Sequence, residues 1–138
     1  MVTVYYNPGL ENHVVKFLDM TGLEKYNTIL HWDKPVIWMG LYNLQDYLTF
    51  KFHEGPKLVY WLGSDVLPLL GSGLKWTSQN WEVSSEDLVK LIKSKNCTHV
   101  CENITIHNEL KSVGFDSLIR PFFLGDMDDF TCSYNFST

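Results

Sequence analysis

Short apolar runs rich in β-branched and aromatic residues recur along this chain, each closed by a turn signal and most followed by a segment of helical period. Val2 to Tyr6 stops at Asn7-Pro8-Gly9, and Glu11 to Asp19 then places Val14, Val15 and Leu18 on one helical face. Thr28 to Trp32 and Val36 to Gly40 are short apolar runs on either side of Asp33-Lys34-Pro35. Leu44 to Phe52 suits a helix. Lys57 to Leu62 reads as a buried strand that runs straight into Gly63-Ser64-Asp65, with a helical turn over Val66 to Leu70. After an irregular stretch from Gly71 to Glu82, Ser84 caps a helix to Lys95, with Asp87 three residues on. Thr98 to Cys101 is a strand, Ile104 to Val113 a helix stopped by Gly114, and Ser117 to Phe123 a last strand.

Strands that alternate with helices in this way need crossover connections, and right-handed crossovers yield a parallel sheet covered on both sides. The expected fold is α/β: an open, mainly parallel sheet with helices on both faces, Rossmann-like and three-layered. Residues 1–124 form a single domain, and 125–138 are a C-terminal tail or the start of an interdomain linker.

Composition narrows the partners. With 138 residues and 45% hydrophobic content the chain can build a core without staples, which excludes disordered and fibrous classes. A net charge of -5 lacks the basic footprint that a phosphate backbone demands, so nucleic acid is not an expected partner. The three cysteines, Cys97, Cys101 and Cys132, are an odd number without framework spacing, which fits a reducing compartment. The N-terminus shows no basic flank or cleavage site, and the most apolar stretch, Leu58 to Leu74, is broken by Asp65, Pro68 and glycines. The expectation is a cytoplasmic protein without a transmembrane segment.

In an open parallel sheet ligands bind at the carboxyl ends of the strands. The loops in question are Asn7 to His13, Gly40 to Gln45, Gly63 to Val66, Glu102 to Ile106 and Arg120 to Leu124. No dinucleotide fingerprint, Walker motif or nucleophile elbow is present in any of them. Glu102, Asp65 and His13 are acid/base candidates by position, since they end strands or begin helices. Each has a simpler reading, as a cap, a dipole partner or a solvated side chain. Arg120 can clamp an anion or pair with Asp126 or Asp128. Cys97, His99 and Cys101 share one strand face, yet paired Cys-x2-4-Cys spacing is missing, so ordinary packing is preferred to a metal site.

Taken together the segments resemble the N-terminal, acceptor-side domain of a GT-B fold glycosyltransferase. The strand before Asn7-Pro8-Gly9-Leu10-Glu11-Asn12-His13-Val14 is similar to the strand-then-Gly-Gly-x-Glu-x-His/Val turn of many sugar transferases, with one glycine of the two. Leu58 to Val66 resembles the central strand with its Gly-Ser-Asp-Val turn, and His99 to Gly114 the late strand, acidic turn and helix. Ser117-Leu-Ile-Arg120-Pro121 is similar to the last strand before the crossover.

The resemblance implies sugar or glycan acceptor binding around Gly9, Glu11, His13, Gly63, Ser64, Asp65, Glu102, Asn103 and Arg120. It also implies no metal and no cofactor of the domain's own, because a second domain would hold most of the nucleotide-sugar donor. That domain needs well over a hundred further residues, so the expected partners are a donor-binding domain or a second copy, and the chain by itself should not transfer sugar. The competing expectation is a non-catalytic α/β binding or assembly module, since aromatic residues anchor interfaces.

Overall fold

A computed structural model of the chain describes residues 2–76 and 81–120. The elements are β1 (Thr3–Tyr5), α1 (Glu11–Thr21), β2 (Glu24–Lys25), β3 (Val36–Met39), α2 (Leu44–Phe52) and β4 (Lys57–Trp61), then β5 (Leu74–Trp76), β6 (Trp81–Val83), α3 (Ser85–Lys93), β7 (Cys97–Cys101), α4 (Ile104–Ser112) and β8 (Leu118–Ile119). Six strands form one all-parallel sheet in the order β2-β1-β3-β4-β7-β8, and β5 and β6 pair antiparallel beside it. This is the doubly wound α/β architecture. The chain steps outward from β1 to β2, returns past β1 to β3, and then moves steadily to β8. That reversal puts the topological switch point between β1 and β3.

Two cores follow from the winding. On one face α1 buries Val14 against Val4, Tyr6, Met39, Tyr60 and Val100. On the other, α2, α3 and α4 bring Tyr47, Phe50, Leu88, Ile92, Ile106 and Leu110 onto Trp38, Val59, Trp61 and Cys101. Because both faces are covered, the central strands read as nearly continuous apolar runs instead of alternating ones. Beneath α2 the rings of Trp38, Phe50 and His53 meet edge to face at centroid distances of 5.2 and 5.3 Å.

Caps place the helices where their sequences start. Ser84 Oγ accepts from the Asp87 amide at 3.2 Å, and Asn103 Oδ1 accepts from that of Ile106 at 3.0 Å. Asn43 and Asp46 form a reciprocal capping box at α2.

Several elements differ from expectation. The run from Thr28 to Trp32 is a series of turns with Ile29, Leu30 and Trp32 exposed, and the strand in that region is the charged pair Glu24–Lys25. The stretch from Gly71 holds β5, which pairs with β6, because Gly73 at φ 62° seats its backbone against the Val83 carbonyl. Val66 to Leu70 is split between two single turns, with Pro68 opening the second. The strand expected to reach Phe123 is described only as Leu118–Ile119; its continuation, the tail at 125–138, Asp126, Asp128 and Cys132 lie outside the described residues. Among the described residues no helix is long and apolar enough to cross a membrane.

Candidate functional site

The carboxyl ends of β1, β3, β4, β7 and β8 lie along one rim. At the switch point the rim is closed from below by Asp46, which is fully buried. Its Oδ1 accepts from Tyr5 Oη at 2.7 Å, and its Oδ2 accepts from the Tyr42 amide at 2.8 Å and from Asn7 Nδ2 and the Asn43 amide, both at 3.3 Å. One carboxylate thus ties the loop after β1 to the loop after β3. Burial, and then this acceptor, hold the proton on Tyr5 well above the ordinary tyrosine range.

Asp65 performs the same service one strand along. Its Oδ1 accepts from the amides of Gly63 at 2.8 Å and Leu62 at 3.0 Å, and the nearby Leu41 amide also favours the charged carboxylate. Gly40, at φ 83°, lets this happen: a Cβ there would stand 3.0 Å from Asp65 Oδ2 and 2.5 Å from Tyr42 Cε2. Burial outweighs these donors and pushes Asp65 up to about 6.

His99 is shifted in the opposite sense. Its Nδ1 accepts from Trp61 Nε1 at 3.0 Å, it stacks on that indole and touches Phe115, and burial brings it down to about 4. The two groups oppose each other in one pH window. A carboxyl whose pKa is raised from 3.8 to about 6 makes stability fall as pH rises through that range, by about 3 kcal/mol. A histidine lowered from 6.5 to about 4 makes stability rise over nearly the same interval by a similar amount. Burial lowers His53 as well, in the same sense as His99. In urea unfolding of the parent chain between pH 4 and 6.5 the Asp65 and His99 contributions are therefore expected to nearly cancel, leaving the rise that His53 adds. Asp65→Asn should steepen that rise by about 3 kcal/mol, and His99→Gln should reduce it by a similar amount. Parallel profiles for all three proteins would contradict this account.

The residues expected from the sequence fall in two groups. Gly9, Glu11 and His13 are exposed around the start of α1, where the Gly9 amide donates to Asn7 Oδ1 at 2.9 Å and Glu11 accepts from Tyr6 Oη at 3.5 Å. Gly63, Ser64 and Asp65 end β4, Glu102 and Asn103 end β7, and Arg120 follows β8, so six of the nine lie on three neighbouring strands. Their side chains are not equally reachable. Asp65 is buried within its turn, and Asn103 Oδ1 caps α4. Ser64 and Arg120 are exposed, with Arg120 Nη1 on the Ile119 carbonyl at 2.8 Å. Glu102 is half-buried, and its charge helps burial raise the neighbouring Tyr60, whose hydroxyl donates to the Arg120 carbonyl.

Asp46 and Tyr5 lie outside the loops expected to form the rim, and Tyr42, inside the expected Gly40 to Gln45 loop, was not singled out. The spacing Asn43-Leu-Gln-Asp46 was the available signal, since an amide followed three residues later by a carboxylate marks a capping box.

The β7 trio points onto one face, as its alternation implies, but its members face different partners. Cys101 Sγ lies 3.5 Å from both the Asn103 carbonyl and Ser117 Oγ, and burial pushes Cys97 up to about 12. Among the described residues no group of three or more His, Cys, Asp or Glu side chains could hold a metal ion. No protein family, curated protein or solved structure matches this chain.

Proposed function

We propose that this chain is the acceptor-binding half of a nucleotide-sugar-dependent glycosyltransferase of GT-B type, completed by a donor-binding domain supplied elsewhere. The observation that carries the reading is the position of Glu102: an ionisable, partly exposed carboxylate on the carboxyl rim, beside the Gly63 turn of the neighbouring strand and with exposed Asn103 and Arg120 next to it. In this role Glu102 accepts the proton of a sugar hydroxyl. Asn103 keeps Nδ2 free to donate while Oδ1 caps α4, and the Arg120 guanidinium faces an anionic group of the donor. Asp65 acts by holding the Gly63 turn in shape, because its own oxygens are engaged by backbone amides.

The test is a residue-resolved NMR titration of the chain with neutral oligosaccharides. Shifts confined to Gly63, Glu102 and Asn103 are expected, with binding weakened about tenfold in Glu102→Gln at an unchanged melting temperature. A saccharide response that Glu102→Gln leaves intact would remove the proposal. The second reading is a non-catalytic binding module. It is favoured by the saturation of both buried rim carboxylates, Asp46 and Asp65, by protein donors, and by the exposure of Trp32 and Phe52.

A further inference from the structure

The crossover from β2 to β3, residues 26–35, contains turns where the other crossovers in the sheet carry helices. The outer flank of α2 is consequently left open, and a cavity of about 300 Å³ lies between it and this crossover. Tyr26, Trp32 and Phe52 contribute aromatic rings to its lining, and the last two are 51% and 72% exposed. Such a volume is at the lower end of ligand sites and suits one or two rings.

The polar groups of the cavity restrict what can enter. His53 Nε2 lies 2.7 Å from the Lys34 carbonyl, which can only accept, so Nε2 carries the proton. Burial keeps this imidazole neutral at physiological pH, and its bare Nδ1 then accepts from Tyr26 Oη at 3.0 Å. Thr49 Oγ1 likewise donates to the Gln45 carbonyl at 2.9 Å. Two lining hydroxyls therefore have their protons committed inward and retain only the capacity to accept. Thr28 and the Gln45 amide add groups of either sense, and among the described residues no Asp, Glu, Lys or Arg lines the cavity.

We propose that this cavity is a binding site for an uncharged, flat ring compound bearing an N–H or O–H donor, of the indole or phenol class. The ring packs against Trp32 and Phe52, and its donor reaches the Thr49 oxygen, which is more exposed than the buried Tyr26 hydroxyl. Carboxylates and phosphates are disfavoured, since the lining is uncharged and the nearby Lys51 ammonium, 5.5 Å from the centre of the exposed Phe52 ring, is too solvated to offset much of their desolvation. The site is separate from the Glu102 rim and does not depend on the glycosyltransferase reading.

The experiment is an NMR titration of the whole chain with indole, N-methylindole and benzoate. Indole should shift the amides of Thr28, Gln45 and Thr49. N-methylindole, which has lost the donor, should bind about tenfold more weakly, and benzoate should produce no shift. Trp32→Ala and, as a separate variant that keeps side-chain shape, Thr49→Val should each weaken indole about tenfold at an unchanged melting temperature. Equal binding of indole and N-methylindole would overturn the proposal. So would shifts at these amides that follow protein concentration and not indole, the signature of a second copy in the cavity.

Discussion

Replacing Asp46 with alanine is expected to cost about 4 kcal/mol, a large share of the 5–15 kcal/mol that holds a domain of this size together. The side chain is small, and the reason lies in what it leaves behind. Two backbone amides, those of Tyr42 and Asn43, lose their acceptor, and so do the Tyr5 hydroxyl and the Asn7 amide. Each stranded donor in a partly buried place costs about 1–3 kcal/mol, and half of the α2 capping box disappears as well. The sum is reduced because Asn43 still accepts from the residue 46 amide and because loops after β1 and β3 can relax toward water. Tyr5→Phe removes one donor together with its need, and should cost about 1 kcal/mol. Urea denaturation of the three proteins orders them. A loss below 1 kcal/mol for Asp46→Ala would mean that the carboxylate does not brace the switch point.

A comparable loss, about 3 kcal/mol, is expected for Gly55→Ala. Gly55 lies in the turn before β4, packed against the turn before β3. An added Cβ would stand 2.6 Å from the Asp33 carbonyl oxygen, 2.5 Å from its carbon, and closer still to the Lys34 oxygen. These are backbone atoms, and they are tethered: the Lys34 carbonyl accepts from His53 Nε2, and the Glu54 amide reaches the Trp32 carbonyl at 3.0 Å. Relief requires moving one turn away from the other and breaking those bonds. Gly22 supplies the control, since it takes a positive φ of 71° with nothing within 4 Å of a Cβ. Gly22→Ala should cost only the conformational strain of about 1–2 kcal/mol. Equal losses at the two positions would show that contact at Gly55 is not the cause.

Burial made the parallel sheet legible in the sequence. Val36-Ile-Trp-Met39 and Lys57-Leu-Val-Tyr-Trp61 are apolar runs because helices cover both faces, and Ser84 and Asn103 start helices for the local reason that their side chains accept from the third amide on. Glu24–Lys25 escaped notice because both residues are exposed at the sheet edge and show no periodicity, whereas Ile29, Leu30 and Trp32 imitated a strand while facing solvent. The hairpin of β5 and β6 brings Gly73 against Val83, ten residues on, a close backbone approach that no apolar periodicity in that stretch announces. At the rim, position was readable and orientation was not. Asp65 and Glu102 look alike as carboxylates ending strands, yet one turns inward to backbone amides and the other stays partly exposed.

Among the described residues the flanking strands of the main sheet, β2 and β8, are two residues long. A neighbouring molecule seeking to extend the sheet would find two rungs on either side, and at β2 an acidic and a basic side chain beside them. Shortness and charge at sheet margins are how natural proteins discourage runaway strand addition. At the β2 margin strand addition is thereby discouraged, which favours side-chain-mediated contacts over fibril-like stacking there.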